Sequence, residues 1–380
     1  MTERNISISL PCTGEDEWRA VRKPILSGWL TQGPKVAEFE KRFAEMHGVR
    51  HAIATTSCTT GLHLALAALV VGPGDEVIVP AFTWVATANV VLYCGATPVF
   101  VDVDPRTFNM NPADVVAKVT ERTRAVIPVH LFGLCADIDT IRAALPQDVK
   151  VLEDAACAAG AVYKGRKAGG LGDAGVFSFH PRKSITTGEG GMVTTDDDDL
   201  AERIVMMRNH GASISEEQRH RGPHPYLLPD FNLLGFNYRM TDMQGAVGLA
   251  QVEKLERFID ERAKWAAWYR QELADLDWLR CPAEPAYGRH AWQSFVTWVD
   301  PDKAPMPRND IMDLLQQKGI STRPGTHAVH MLGLYRERFG LHADDFPGAR
   351  DCDRNTMAIP LHNRMTEDDY RYVVDALRAL

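Results

Sequence analysis

Along the first two thirds of the chain, short continuous apolar runs alternate with stretches whose apolar positions recur at helical spacing. The runs at 76–80 (EVIVP), 97–104 (TPVFVDVD), 124–130 (RAVIPVH), 149–155 (VKVLEDA), 175–180 (GVFSFH) and 191–195 (GMVTT) predict strands. Several are apolar at successive positions, as strands buried on both faces of a mainly parallel sheet require. Between them, 61–69, 87–94, 111–120 and 139–145 carry helix patterns. The order predicts an α/β domain with a mainly parallel mixed sheet between helices. After Arg239 the pattern changes, and 241–276 reads as one long helix without proline. Beyond it, a strand at 294–300 and helices at 309–319 and 367–380 predict a small α+β unit. The expected division is a large domain at 1–250, N-terminal arm included. A small C-terminal domain at 251–380 follows, entered through the long linking helix.

Composition narrows the class without naming a chemistry. The 380 residues carry a net charge of -8, with 45% hydrophobic and 24% charged positions. That is enough chain for two cores, and it excludes collagen, a disordered tail protein and a disulfide-stapled mini-protein. The acidic balance disfavours nucleic acid or an anionic membrane as the main partner. Seven cysteines are scattered with no zinc spacing, which suits a reducing compartment. The longest apolar run, about 62–71, is interrupted by His63 and too short for a bilayer. With a polar N-terminus and no signal peptide pattern, the expectation is a soluble cytoplasmic protein.

One glycine motif points the wrong way. Residues 170–175 (GLGDAG) match G-x-G-x-x-G, but a strand follows the glycines where a dinucleotide site needs a helix. More informative is 177–191 (FSFHPRKSITTGEGG), where Lys183 lies just past a predicted buried strand. Such a lysine can become a nucleophilic amine, although the position also suits a solvated loop residue. Glu153 and Asp154 end another strand, where α/β folds place ligands; a helix N-cap reads equally well. Hydroxyls at 55–60 (TTSCTT) precede a helix and suit an anion or simple capping. Trp84 follows EVIVP and could stack on a planar cofactor or sit in the core.

Taken in order, these pieces resemble the DegT/DnrJ/EryC1/StrS sugar aminotransferases, a branch of the fold type I pyridoxal 5'-phosphate (PLP) enzymes. The likeness spans nearly the whole chain. It rests on 28–48 (GWLTQGPKVAEFEKRFAEMHG), 72–89 (GPGDEVIVPAFTWVATAN), 102–112, 126–133, 153–156 (EDAA), 177–193 and 235–251 (GFNYRMTDMQGAVGLAQ). The resemblance implies that Lys183 is the lysine holding PLP as a Schiff base. It pairs Asp154 with the pyridine nitrogen and stacks Trp84 on the ring. Thr59, the backbone of Cys58, and Ser178 would hold the phosphate. Asn237 would reach it from a neighbouring subunit, implying a homodimer with shared sites. Family members that dehydrate sugars carry histidine where Lys183 stands, so transamination is expected. The implied reaction is ping-pong, through pyridoxamine 5'-phosphate, from an amino-acid donor (usually glutamate) to a nucleotide-linked keto-sugar, often a 4-keto-6-deoxyhexose.

Three positions depart from the family pattern. Cys58 replaces glycine, Cys157 replaces a glutamine that contacts the ring hydroxyl, and Ala159 stands where histidine is frequent. A thiol is a weaker hydrogen-bond partner than an amide, so the cofactor's electronic environment is expected to differ. The alternatives are glutamine-dependent amination of a cyclitol or other non-nucleotide ketone, and a non-catalytic regulator on the same fold. Arg323 and His327, in the polar segment 322–330, could meet substrate anions or form a structural turn. The polar stretch 216–224 reads as a mobile surface loop whose histidines lack metal spacing.

Overall fold

The computed structural model describes residues 4–214, 222–224 and 226–380. The expected loop at 216–224 therefore lies outside the described residues except for its last three. A central seven-stranded sheet dominates the N-terminal part. Its members are His51–Thr55 (β1), Glu76–Pro80 (β2), Thr97–Val101 (β4), Thr123–Val126 (β5), Lys150–Asp154 (β6), Ala174–Ser178 (β9) and Gly191–Thr195 (β10). The order is β1-β10-β9-β6-β5-β2-β4, parallel from β9 to β4, with β10 and β1 added antiparallel at one edge. This is the expected mainly parallel mixed sheet. The short strand Phe82–Thr83 (β3) and the hairpin Val162–Tyr163 (β7) and Arg166–Lys167 (β8) lie outside it.

Both faces are covered, which explains the unbroken apolar runs. Val77 and Val79 enter one core with Leu62 and Leu66, while Ile78 enters the other with Phe39, Phe43 and Val151. The helices Pro34–His47 (α2), Cys58–Ala68 (α3) and Ala86–Tyr93 (α4) supply cover near the site, whereas Glu15–Ser27 (α1) packs on the helix Asp242–Val252.

Two expected strands end early, for visible reasons. The run at 97–104 stops at Val101 because the next backbone groups pair locally, the Asp102 carbonyl with the Asn111 amide and the Asp104 amide with the Asn109 carbonyl, both at 3.0 Å. The Asp102 carboxylate meanwhile accepts the amides of Gly348 and Ala349 at 2.8 and 2.7 Å. Those amides open the helix Pro347–Asn355 and have no intrahelical partner. The run at 124–130 stops at Val126, two residues before Pro128, which has no N–H to give the ladder.

The single helix expected over 241–276 is two. Asp242–Val252 and Leu255–Glu272 are separated at Glu253 and Lys254. The first lies on α2 through Gly245 and Gly248, where added Cβ atoms would come within 2.7 Å of Val36 N and 2.6 Å of the Phe39 ring. At the break, Lys254 Nζ meets Glu17 at 2.6 Å and Asp16 at 2.9 Å, and Glu253 pairs with Arg42. Apolar periodicity continues across the break because both halves bury one face, so the pattern alone could not reveal it.

After the second helix, Leu279–Arg280 (β11), Phe295–Val299 (β13) and Thr356–Ile359 (β15) form an antiparallel sheet. Its core holds Tyr269, Phe295, Ile311, Leu315 and Tyr370. Gly288–Arg289 (β12) reaches back to pair with β7. His327–Ala328 (β14) does the same to β3, with His327 opposite Thr83.

The glycine turn at 169–172 has an occupant of its own. The amides of Gly169, Leu171 and Gly172 converge on the Glu153 carboxylate at 2.7, 2.7 and 2.8 Å. His130 adds a fourth contact through Nε2 at 2.8 Å. Its Nδ1 accepts from the Ala136 amide, so the proton sits on Nε2 and is donated to Glu153. The turn binds an anion, as such backbone concavities do, and the anion is the protein's own side chain.

Candidate active site

Three elements meet beyond the C-terminal ends of β6 and β9, the edge where open α/β sheets bind ligands. The first is the start of α3. Ser57 caps it by accepting from the Thr60 amide, and Thr60 Oγ1 returns the contact to the Ser57 amide at 3.0 Å. The capping box leaves the amides of Cys58 and Thr59 facing out at the helix terminus, where a helix has no internal partner for them. The Thr59 hydroxyl has no partner among the described residues. Gly191 makes room for this arrangement: a Cβ there would lie 2.5 Å from the Ser57 carbonyl and 2.7 Å from the Cys58 amide. Ser178 is Gly191's register partner, one strand away.

The second element is the loop after β9. Phe179 N bonds Gly190 O at 2.9 Å, and the Phe179 carbonyl accepts from Thr187 N and Thr186 Oγ1, so the loop folds back on its own strand. A turn closed by Lys183 N to His180 O at 2.8 Å then aims Lys183 inward. The Lys183 amine meets Cys157 Sγ at 3.1 Å. Gln293, from the C-terminal region, donates to the Arg182 carbonyl at 2.8 Å and braces the same turn.

The third is Asp154 at the end of β6. Its Oδ2 accepts from Thr87 Oγ1 at 2.8 Å; its Oδ1 accepts from Ala156 N at 3.2 Å and lies 3.9 Å from Cys58 Sγ. Burial raises the Asp154 carboxyl above the ordinary aspartate range, opposed by the Thr87 and Ala156 hydrogen bonds and by Lys183. Burial also pushes the Cys58 thiol up, and Asp154 adds to it, so Cys58 stays protonated. For Lys183, burial works to lower the amine, but Cys157, through its hydrogen bond and charge, and Asp154 outweigh it and the net direction is up. Asp154, Lys183, Cys58 and Cys157 thus form one cluster.

The raised Asp154 has a stability consequence of known sign. Between the ordinary aspartate range and its own higher folded value, the native protein binds more protons than the unfolded chain. Stability is therefore lost as pH rises through that window. Cofactor-free Asp154→Asn protein is expected to melt above the parent at alkaline pH, with the gap closing as pH falls into the ordinary carboxylate range. Thermal melts across a pH series measure it, and a gap that widens on acidification would contradict the account.

Neither Trp84 nor Asn237 hydrogen-bonds to the cluster among the described residues. Trp84 is 61% exposed, its ring 5.6 Å from that of His327. Asn237 is exposed, although its neighbour Tyr238 accepts from the Thr56 amide at 3.1 Å beside the helix start. Arg323 pairs its backbone with Ala358 in an antiparallel bridge beside β15. Sequence reasoning missed Thr87, Thr83 and Gln293; the first two lie inside one of the quoted stretches (72–89), but nothing in their spacing pointed to Asp154.

The donor set fits PLP. A helix terminus with two outward amides and a hydroxyl suits a phosphate. A buried carboxylate with spare acceptor capacity suits a protonated ring nitrogen, and a lysine amine whose protein partner is a thiol suits covalent attachment. Fold and site together define a PLP-dependent transferase of fold type I. The comparisons agree: the DegT/DnrJ/EryC1/StrS aminotransferase family matches residues 11–378. GDP-perosamine synthase of Caulobacter vibrioides is 42% identical, over 98% of this chain and 97% of its own. The PLP form of Streptococcus pneumoniae Spr1654 superposes with a TM-score of 0.90 at 27% identity, covering 99% of this chain and 98% of that one. DesI, solved in the presence of its TDP-sugar product, gives 0.88 at 34%, covering 99% and 93%. The chain belongs to the DegT/DnrJ/EryC1/StrS aminotransferase family, and its cofactor is PLP.

Proposed function

We propose that this aminotransferase moves an amino group from L-glutamate to a nucleotide-linked keto-sugar, most simply a 4-keto-6-deoxyhexose. The observation that carries the reading is the cluster of Lys183 and Asp154 beside the open terminus of α3. Its supports from outside are a relative named GDP-perosamine synthase and a structural neighbour seen with a TDP-sugar product.

Bound PLP supplies an electron sink for the charge that develops when a donor amino acid loses its α-proton. The protein supplies the rest. Lys183 Nζ holds the cofactor between turnovers and carries the α-proton during them, so one atom serves as anchor and as general base. Asp154 keeps positive charge on the ring nitrogen, which makes the sink effective. The amides of Cys58 and Thr59, with the hydroxyls of Thr59 and Ser178, hold the phosphate without a basic surface, consistent with a net charge of -8. Cys157, beside Lys183, would stand at the ring hydroxyl. Trp84 would trade its exposure for a ring face.

The same proposal makes the enzyme a homodimer. Leu228, Phe231 and Leu234 are exposed near Asn237, an apolar surface suited to burial against a second copy. Asn237 would then serve the partner's phosphate site. The unit at 251–380 would border the mouth through β14. Among the described residues no helix is long and apolar enough to cross a membrane, and all seven cysteines are free, which suits a reducing cytoplasm.

The test is a donor and acceptor panel. With glutamate, a nucleotide-linked 4-keto-6-deoxyhexose should yield the amino sugar by mass, while cyclitol ketones with glutamine should yield nothing. The reverse preference would overturn the substrate assignment.

A further inference from the structure

Asp154 has a soft torsion at its carboxylate. The last side-chain angle of aspartate is broad, so covalent geometry does not fix the plane of the two oxygens. What fixes it must be hydrogen bonds. Oδ1 has the Ala156 amide and the Cys58 thiol; the protein partner of Oδ2 among the described residues is the Thr87 hydroxyl at 2.8 Å. Thr87 is 0% exposed, and its Oγ1 is also 3.0 Å from Thr83 Oγ1, itself 1% exposed.

Counting protons orders the chain. A carboxylate only accepts, so the one Thr87 hydroxyl proton goes to Asp154. Thr83 must then donate to Thr87. The relay Thr83 to Thr87 to Asp154 runs one way, and each donor polarises the next. Thr83 belongs to β3, whose register partner in β14 is His327, and the next residue is Trp84. The last hydroxyl of the relay is therefore attached to the strand that carries C-terminal residues to the mouth.

We infer that Thr87, backed by Thr83, is a positioning residue that sets the orientation of the Asp154 carboxylate toward the cofactor ring nitrogen. This rests on the assignment of Asp154 proposed above. It is distinct from a purely structural duty, because removing the hydroxyl would change what Asp154 does to the ring as well as how stably it is buried.

Thr87→Val keeps the shape and removes the hydroxyl; Thr87→Ser keeps the hydroxyl. In PLP-loaded protein, the pH midpoint of the cofactor's visible absorbance should move by at least about half a unit in Thr87→Val and return in Thr87→Ser. Cofactor release from Thr87→Val should quicken by roughly tenfold, as loss of a hydrogen bond to a charged group implies. Thr83→Val interrupts the relay one step back and should give a smaller shift in the same direction, which keeps the test usable if Thr87→Val folds poorly. A lowered melting temperature with an unmoved midpoint in both valine variants would overturn the inference and leave Thr87 a packing residue. Asp154→Asn separates the two levels. If it moves the midpoint while the valine variants do not, only the positioning role fails; if it too leaves the midpoint in place, the Asp154 assignment fails with it.

Discussion

Lys183→Ala is expected to end transamination. Proton transfer by a positioned side chain alone contributes about 10²–10⁴-fold, and this substitution also removes the covalent anchor. The loss should fall on kcat, since the phosphate contacts at α3 and the carboxylate at Asp154 remain. A second readout is independent of turnover: borohydride should fix PLP to the parent protein, at a peptide containing Lys183, and should fix none to the variant. The geometry makes the expectation specific. Lys183 is aimed inward by a turn closed on His180 and braced by Gln293, and its amine ends beside Cys157 within reach of Asp154's field. Normal turnover in Lys183→Ala would remove the residue from the mechanism.

The largest expected effect on stability lies one residue away from Asp154. Glu153→Ala would leave the Gly169, Leu171 and Gly172 amides and His130 Nε2 without their shared acceptor, all in a buried site. Leaving a buried donor unsatisfied costs about 1–3 kcal/mol, and several lose their acceptor together here, so the loss is a large part of a protein's net stability. Denaturant unfolding of the cofactor-free protein should show the loss. Glu153→Gln, which keeps two acceptor sites on one oxygen and the approximate shape, should lose less. A Glu153→Ala cost under about 1 kcal/mol would mean that the glycine turn holds itself.

These two neighbours show what sequence could and could not reveal. That Glu153 and Asp154 close a buried strand was legible, because apolar runs report burial on both faces. Their division of labour was not. Side chains alternate across a strand, so Asp154 turns toward Lys183 and Thr87 while Glu153 turns toward the glycine turn. The partners come from 67 residues upstream in one case and 16 downstream in the other, and periodicity carries no information about either. The G-x-G-x-x-G stretch was correctly set aside on element order, yet its real ligand, Glu153, required coordinates.

The same limit explains the helix at 241–276. Its apolar spacing was legible; the break at Glu253 and Lys254 depends on charges carried by α1 and α2, more than 200 residues earlier. For Lys183 the local pattern left a solvated loop lysine open. Only the ordered likeness to a family suggested a role for it, and the structure places its amine beside Cys157 and near Asp154. The cysteines changed most in meaning. Cys58 and Cys157, where the resemblance leads one to expect glycine and glutamine, lie against Asp154 and Lys183 respectively.

The most direct test of the central claim is a two-stage absorbance measurement on PLP-loaded protein. Added L-glutamate alone should bleach the visible absorbance of the lysine-bound cofactor and release one equivalent of 2-oxoglutarate per site. Subsequent addition of a nucleotide-linked 4-keto-6-deoxyhexose should restore the absorbance and yield the amino sugar. Absorbance unmoved by any amino-acid donor, in protein that demonstrably holds PLP, would contradict the account.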